Sequence, residues 1–253
     1  MTRKRILGAL VAMVALGLVF ATGALAKSEG NLGWKVNGRA LVEGETMTVT
    51  GEGGTQTLKA TIDIDVPIEL ECTSASLSSM KLVGTNAPTP GSVEGRIGFS
   101  GCEVATVDSQ CQVAGGGFVT KALVGTDVYL SKAAAENEEL VQGADGIVFK
   151  PKEGEVFASF VIGGSRCFTP ESTVEITGTG LIDKFVKASG ETTFNEEAQT
   201  HELEATSLHA YFENRRGSTV EHSVTFKFFG AEATLTGSTS MSVKSSSKYN
   251  LET

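Results

Sequence analysis

The chain has 253 residues, of which 40% are hydrophobic and 20% charged, and its 21 Lys and Arg against 30 Asp and Glu give a net charge of −9. This hydrophobic content argues against intrinsic disorder, which combines low hydrophobicity with high net charge. The acidic balance argues against a nucleic-acid partner, because phosphate binding requires a basic surface. Thirty glycines without a regular period, beside only five prolines, exclude a collagen-like protein.

Residues 1–26 have the three parts of a secretory signal peptide. Residues 3–5 are basic, residues 6–20 form an uncharged apolar run, and residues 24–26 (Ala-Leu-Ala) fit the small-x-small rule of signal peptidase. We therefore expect cleavage after Ala26 and a secreted, extracellular mature chain with no stable membrane span. The alternative is a retained membrane anchor, because the uncharged stretch is long enough to cross a bilayer.

The four cysteines, Cys72, Cys102, Cys111 and Cys167, indicate two disulfides, since an even number in an exported chain is typically paired. Four cysteines allow three pairings. Cys102 and Cys111 are close in sequence, across a polar segment that could turn back as a hairpin, so the spacing favours Cys102–Cys111 together with Cys72–Cys167. A structural zinc site is disfavoured because no C-x-x-C or H-x3-H spacing is present. We predict no metal and no cofactor.

The clearest secondary-structure signal is the alternation from Leu58 to Cys72. Every second residue is apolar, and Lys, Thr, Asp, Pro and Glu fill the positions between them. A period of two over such a length predicts a β-strand with one apolar face and one solvated face. Pro67 cannot donate a hydrogen bond to a neighbouring strand, so it marks an edge position, a bulge or a break into two strands.

Similar signals recur along the chain. Asn37-Gly38 predicts a tight hairpin turn, and residues 156–162 (VFASFVI) predict a central strand covered on both faces. Alternation predicts further strands at residues 47–50, 93–99, 220–228 and 233–243. Residues 131–142 contain helix formers without an apolar face and are interpreted as a surface loop.

These patterns predict a single all-β domain over residues 27–244. The expected fold is an antiparallel two-sheet sandwich of roughly 10–14 strands, with a closed β-barrel as the alternative. Residues 245–253 are expected to form a flexible C-terminal tail.

No catalytic residue is predicted. Ser165 lies in a Gly-Gly-Ser-Arg-Cys stretch that imitates a nucleophile elbow, but that motif requires glycine where Cys167 stands and a helix after it. The three histidines, His201, His209 and His222, do not form an H-E-x-x-H motif.

The carboxylates Asp63, Asp65, Glu69 and Glu71 form a candidate cation-binding row. Alternate residues on one strand face lie about 6.6–7 Å apart, a distance at which two neighbours could share Ca²⁺ or act as a glycosidase pair. The alternative interpretation is a charged edge that prevents aggregation between strands.

Several short segments carry a family resemblance. They are GFSGC (98–102), CQV (111–113), TKALVG (120–125), IVFKP (147–151) and Cys167 after GGS (163–165). Together they resemble a group of uncharacterised exported proteins of high-GC Gram-positive bacteria. The resemblance brings no activity. It implies export and supports the cysteine pairing.

The sequence therefore predicts a non-enzymatic binding module that interacts with an extracellular or cell-envelope ligand, and it implies no particular oligomeric state. The row Thr234, Thr236, Ser238 and Ser240 is a candidate binding surface. The alternatives are a secreted carboxylate-dependent hydrolase, similar to a glycosidase, and a carrier of a small apolar ligand.

Overall fold

The computed structural model describes residues 33–62, 65–86, 89–130, 145–185, 198–205, 210–212, 221–244 and 247–252. Within these ranges the chain forms eighteen β-strands and a single 3-10 turn at Ala114–Gly116. The strands are β1 (Gly33–Val36), β2 (Arg39–Ala40), β3 (Thr46–Ile62), β4 (Val66–Val83), β5 (Ser92–Ala105), β6 (Gln110–Val113), β7 (Gly117–Val119), β8 (Leu123–Leu130), β9 (Asp145–Pro151), β10 (Val156–Gly163), β11 (Ser172–Gly178), β12 (Leu181–Phe185), β13 (Ala198–Ala205), β14 (Ala210–Phe212), β15 (Glu221–Ser223), β16 (Phe226–Phe228), β17 (Ala231–Val243) and β18 (Tyr249–Glu252). The all-β prediction is confirmed, and the segment 131–142, interpreted above as a surface loop, lies outside the described residues.

Eight strands close into a ring through antiparallel pairing. Their order is β3-β4-β5-β8-β9-β12-β13-β17, and β17 pairs with β3 to complete the circle. This closure corresponds to the barrel that the sequence offered as the alternative to a two-sheet sandwich.

Four long strands belong to a second ring as well. β3, β4, β5 and β17 continue through β6, β10, β11 and β16, again with antiparallel pairing throughout. Strand β5 shows how the rings separate: its residues 92–95 pair with β8, whereas its residues 103–105 pair with β6. The four long strands are therefore a shared wall, with one ring closing at each end.

Alternating side chains fill the interior. Leu58, Leu70 and Cys72 are buried, whereas Lys59 and Glu71 between them face solvent. The alternation from Leu58 to Cys72 is nevertheless a hairpin and not one strand, because Ile62 pairs with Val66 and the described residue between them, Asp65, is in a turn. Pro67 lies within β4, in register with Thr61 on β3, and before the part of β4 that pairs with β5, so it occupies an edge position and the break falls before it.

The first and last strands of the described chain pair with each other. β18 and β2 flank β1 in a separate three-stranded sheet, and β1 leads into β2 through the predicted Asn37-Gly38 turn, with φ of 50° and 78°. Trp34 and Tyr249 from this sheet are fully buried, and the Tyr249 hydroxyl donates to the Met241 carbonyl at 2.8 Å. Residues 247–252 are thus tied to the core, which corrects the expectation of a free tail because an aromatic anchor outweighs their polar composition.

The predicted disulfide pairing is wrong, although all four cysteines are bonded. The bonds are Cys72–Cys102 and Cys111–Cys167. Cys72 and Cys102 lie directly opposite each other on β4 and β5, with Cα atoms 4.0 Å apart. In the β5–β6 hairpin, Cys111 lies opposite Val104 and not opposite Cys102. The register of the hairpin therefore does not allow the Cys102–Cys111 bond that the spacing favoured.

Candidate functional site

The predicted carboxylate row does not lie on one strand. Asp63 is outside the described residues, and Asp65 occupies the hairpin turn with a φ of 65°. Glu69 and Glu71 lie on β4 with their side chains on the outer face. Among the described members of the row, Glu69 and Glu71 therefore share a strand face, and Asp65 lies in the turn before them.

Glu69 and Glu71 have different neighbours. Glu69 forms an ion pair with Lys59 on β3, and Lys59 Nζ lies 3.1 Å from Glu69 Oε2. Glu71 lies opposite Glu103 on β5, and Thr57 flanks it on β3. Two carboxylates directly opposite each other on neighbouring strands repel and reduce sheet stability. The pair that the fold creates is therefore Glu71 with Glu103, which sequence reasoning missed because Glu103 is distant in the chain.

Glu71 and Glu103 line a groove of about 780 Å³ on the outer surface. It is lined by β4, β5 and β6, by the glycine-rich turn at 114–116 and by the end of β10. Gln112 and Glu171 contribute further polar side chains. The Gln110 amide donates a hydrogen bond to the Glu103 carboxylate and fixes its position.

A second groove of about 900 Å³ shares the same two glutamates. It extends over the outer face of β3 and β17 toward the β3–β4 hairpin. Its remaining polar and apolar lining includes Lys59, Thr61, Pro67, Glu69, Thr106, Val107, Glu232 and Thr234. The two grooves together form a continuous open surface, and its carboxylates outnumber its cations.

The serine and threonine row on β17 borders this surface. Thr234, Thr236, Ser238 and Ser240 are all exposed, as the alternation predicts. Thr236 stands in register with Thr57, which stands in register with Glu71. The row and the glutamate pair therefore belong to one polar face of the shared wall.

This face does not assemble the ligand set of a metal ion. Within the described ranges, no three His, Cys, Asp or Glu side chains come together in a way that could hold a metal. Glu69 is already engaged by Lys59. Asp65, Glu69 and Glu71 are therefore not brought together as a group of three ligands.

The interior cavity found among the described residues is small. A core cavity between Gln56 and a set of leucine and phenylalanine side chains measures about 30 Å³. Pockets for drug-sized ligands measure about 300–1,000 Å³. This cavity does not support the apolar-carrier alternative.

Two buried aspartates were missed by sequence reasoning. Asp127 on β8 and Asp183 on β12 are 1% and 4% exposed, and both stand in register with Ile147 on β9 between them. The signal was a single aspartate within each of two mainly apolar strands, LVGTDVYL and LIDKF. Their burial places them away from the grooves, inside the first ring.

Ser165 does not stand in a nucleophile elbow. Ser165 lies in the turn after β10, which leads into strand β11 and not into the helix that the motif requires. Cys167 forms a disulfide with Cys111. The backbones of His201 and His222 lie on β13 and β15, and His209 is outside the described residues.

Comparisons with family models, with curated proteins and with solved structures give no match to this chain. Among the residues that the structure describes, no helix has the length and apolar character needed to cross a membrane.

Proposed function

We propose that the chain is an exported, non-enzymatic binding module, cleaved after Ala26, that binds an extracellular or cell-envelope component. The binding surface is the polar outer face of β17, β3, β4 and β5 with its two connected grooves. The observation that carries this proposal is the position of Glu71 opposite Glu103 at the junction of the grooves. Such a pair weakens the sheet, so a role in recognition accounts for it better than a role in stability.

Three further observations support the proposal. The interior is packed around a cavity of about 30 Å³, so the accessible concave space among the described residues is on the surface. Both disulfides suit an oxidising compartment. The resemblance to exported proteins of high-GC Gram-positive bacteria points to the same location.

Retention of the mature chain, residues 27–253, on immobilised probes tests the proposal. Suitable probes are insoluble peptidoglycan, chitin and cellulose, together with coated extracellular-matrix proteins. We expect retention on at least one probe and its loss in the double variant Glu71→Arg/Glu103→Arg, which reverses the charge at the groove junction. Retention on none of the probes would overturn the proposal.

A matched double variant controls for the change in net charge. Glu153→Arg/Glu175→Arg adds the same charge at exposed positions outside both grooves and outside the four strands of the binding surface. Retention should survive in this variant. Equal loss in both double variants would show that net charge, and not the groove surface, controls the interaction.

A carboxylate-dependent hydrolase is the second candidate, since the same Glu71–Glu103 pair lines an open groove that a polysaccharide could enter. Both side chains are exposed, whereas the general acid of a glycosidase typically lies in an apolar pocket. Release of reducing sugar from the polysaccharide probes, abolished in Glu71→Gln, would favour this candidate over the binding module.

A further inference from the structure

Four hairpin turns lie together at one end of the second ring, and we call them the tip surface. Their described residues are 65–66, 106–109, 164–171 and 229–230. The register shows their common position, since Ala60 near the end of β3 pairs both with Ile68 near the start of β4 and with Ala233 near the start of β17. Two contacts join the other turns: Gln110 N donates to Arg166 O at 3.0 Å, and the rings of Phe168 and Phe229 lie 5.8 Å apart.

The tip surface exposes apolar side chains. Val107 is 79% exposed, Val66 is 41% exposed and Phe168 is 39% exposed. The described residues contain five large hydrophobic side chains with such exposure, and three of them are here. Scattered exposed hydrophobics are ordinary, but a group of them at one end of a soluble domain marks an interaction site.

The turns are held in position before any partner binds. The Cys111–Cys167 disulfide joins the base of the 106–109 turn to the 164–171 turn. Phe229 has a φ of 54°, a conformation that a bulky residue rarely adopts, and its ring packs against Phe228 and Phe168. The equivalent position in the β1–β2 turn is Asn37, which tolerates this conformation better. The chain therefore keeps an aromatic ring beside Phe168 at a cost in backbone energy.

The charge around these turns is acidic. Carboxylates lie within or beside each turn, namely Asp65, Asp108, Glu171 and Glu232. Arg166 and Lys227 are the basic residues at the same turns. The second groove, with Glu69, Glu71 and Glu103, opens directly beside Pro67 and Val107. A partner that covers the apolar tips therefore meets an excess of negative charge.

We propose that the tip surface docks a basic segment of a partner protein in which apolar or aromatic side chains alternate with lysine or arginine. The apolar side chains cover Val66, Val107 and Phe168, and the cations extend toward the glutamates of the second groove. This inference rests on the proposed binding function and names its partner class. An anionic lipid surface fits less well, because its phosphates would face the carboxylates.

Binding of three short synthetic peptides to the oxidised mature chain tests the inference. The first alternates lysine with tyrosine, the second replaces lysine by glutamate, and the third replaces tyrosine by serine. We expect the lysine–tyrosine peptide to bind at least about tenfold more tightly than either of the others. The affinity should fall when salt is raised from about 0.1 M to about 0.5 M, because the acidic rim is exposed.

The double variant Val107→Ser/Phe168→Ser should bind the lysine–tyrosine peptide about tenfold more weakly, since truncating apolar side chains at an interface has effects of this size. Val42→Ser is the matched control, because Val42 is 49% exposed and lies outside the tip surface. Thermal unfolding of each variant verifies that the fold is retained. Because the changed side chains are exposed, both proteins should fold.

Each other outcome overturns the inference. Equal binding of the lysine and glutamate peptides would show that the partner is not selected by its positive charge. Unchanged peptide binding by the tip variant would show that the tip surface is not the binding site. Sedimentation with phosphatidylglycerol vesicles that is lost in the tip variant would assign the surface to a membrane. If the tip variant binds normally while Glu71→Arg/Glu103→Arg loses retention on the immobilised probes, the binding function stands and this inference alone fails.

Discussion

The Gln56 side chain occupies the space into which a side chain at Gly237 would extend. A Cβ added to Gly237 would lie 1.7 Å from Gln56 Oε1. The two residues are register partners on β3 and β17. Gln56 is 2% exposed, and its amide donates to Ser238 O at 2.8 Å and more weakly to Gly54 O, beside the bulge where the register shifts. Position 237 therefore requires glycine because the Gln56 side chain leaves no room for a Cβ, and not because of the backbone conformation of residue 237.

Gly237→Ala should destabilise the protein by about 1–3 kcal/mol, the usual cost of overpacking a filled core. In the Gln56→Ala background the same substitution should cost much less, because the clashing amide is gone. Urea unfolding of the four proteins measures this coupling. Gly54→Ala is the control, since a Cβ there meets nothing within 4 Å, and an equal cost of Gly237→Ala in both backgrounds would contradict the interpretation.

Peptide mapping without reduction should recover Cys72 linked to Cys102, and Cys111 linked to Cys167. The enclosed loops span 30 and 56 residues. Chain-entropy arguments give about 3–4 kcal/mol for each bond. Paired substitutions Cys72→Ser/Cys102→Ser and Cys111→Ser/Cys167→Ser should both lower the free energy of unfolding, the second by slightly more. Recovery of a Cys102–Cys111 peptide would refute the register of β5 and β6.

Tyr249→Ala should cost about 3–5 kcal/mol, since it removes a fully buried ring that lies 6.2 Å from the Trp34 ring. Tyr249→Phe keeps the ring and loses the hydrogen bond to Met241 O, so it should cost about 1 kcal/mol. Lys248→Ala, at an exposed neighbour, should change little. Chemical denaturation measures the free energy of unfolding of all three variants. A Tyr249→Ala variant as stable as the parent would show that the C-terminal strand does not anchor the core.

Arg39 and Glu45 make a stability contribution that depends on pH. Two hydrogen bonds of 2.9 and 3.0 Å join the guanidinium to the carboxylate, and the Val42 N–H donates to the same carboxylate. The Arg39 bonds, with that backbone N–H, lower the pKa of Glu45. The contribution is complete above the usual glutamate pKa of about 4.3 and is lost as pH falls through the lower folded-state value.

Glu45→Gln should therefore be less stable than the parent near neutral pH and equal to it at strongly acidic pH. Urea unfolding across this range measures the difference. A gap between the two proteins that stays constant with pH would exclude the carboxylate as its source.

Glu71→Lys should stabilise the protein by about 0.2–1 kcal/mol at low salt, because an attractive cross-strand pair with Glu103 replaces a repulsive one. Glu52→Lys is the control, since Glu52 faces Ser76 and Ser240 and not a carboxylate. Thermal unfolding at low and high salt separates the two. A destabilised Glu71→Lys would indicate that the Glu71 carboxylate has a favourable partner at the groove junction.

Sequence reasoning predicted what alternation and turn chemistry determine locally. The inward and outward positions from Leu58 to Cys72 are as expected, although the segment is a hairpin, because the side-chain period continues on both sides of its turn. The Asn37-Gly38 turn follows from the positive φ that both residues tolerate. These features depend on neighbours in sequence, and the pattern is sufficient to predict them.

Features that depend on register between distant strands could not be predicted. Cys72 meets Cys102, and Glu71 meets Glu103, only because β4 and β5 pair in one particular alignment. The same limit applies to Tyr249, whose burial depends on pairing with β1 at the other end of the chain. Among the four grouped carboxylates, Asp65 falls in a turn, which separates it from the strand face that the spacing suggested.

The sharing of β3, β4, β5 and β17 by both rings makes the two halves of the protein inseparable. A fragment that contains one complete ring must include all four of these strands. The four strands that complete the other ring would then have no neighbouring strands with which to pair. Proteolysis within any of the four strands would consequently dismantle the whole domain. We expect amide hydrogen exchange to report one cooperative unit here instead of two independently folding halves.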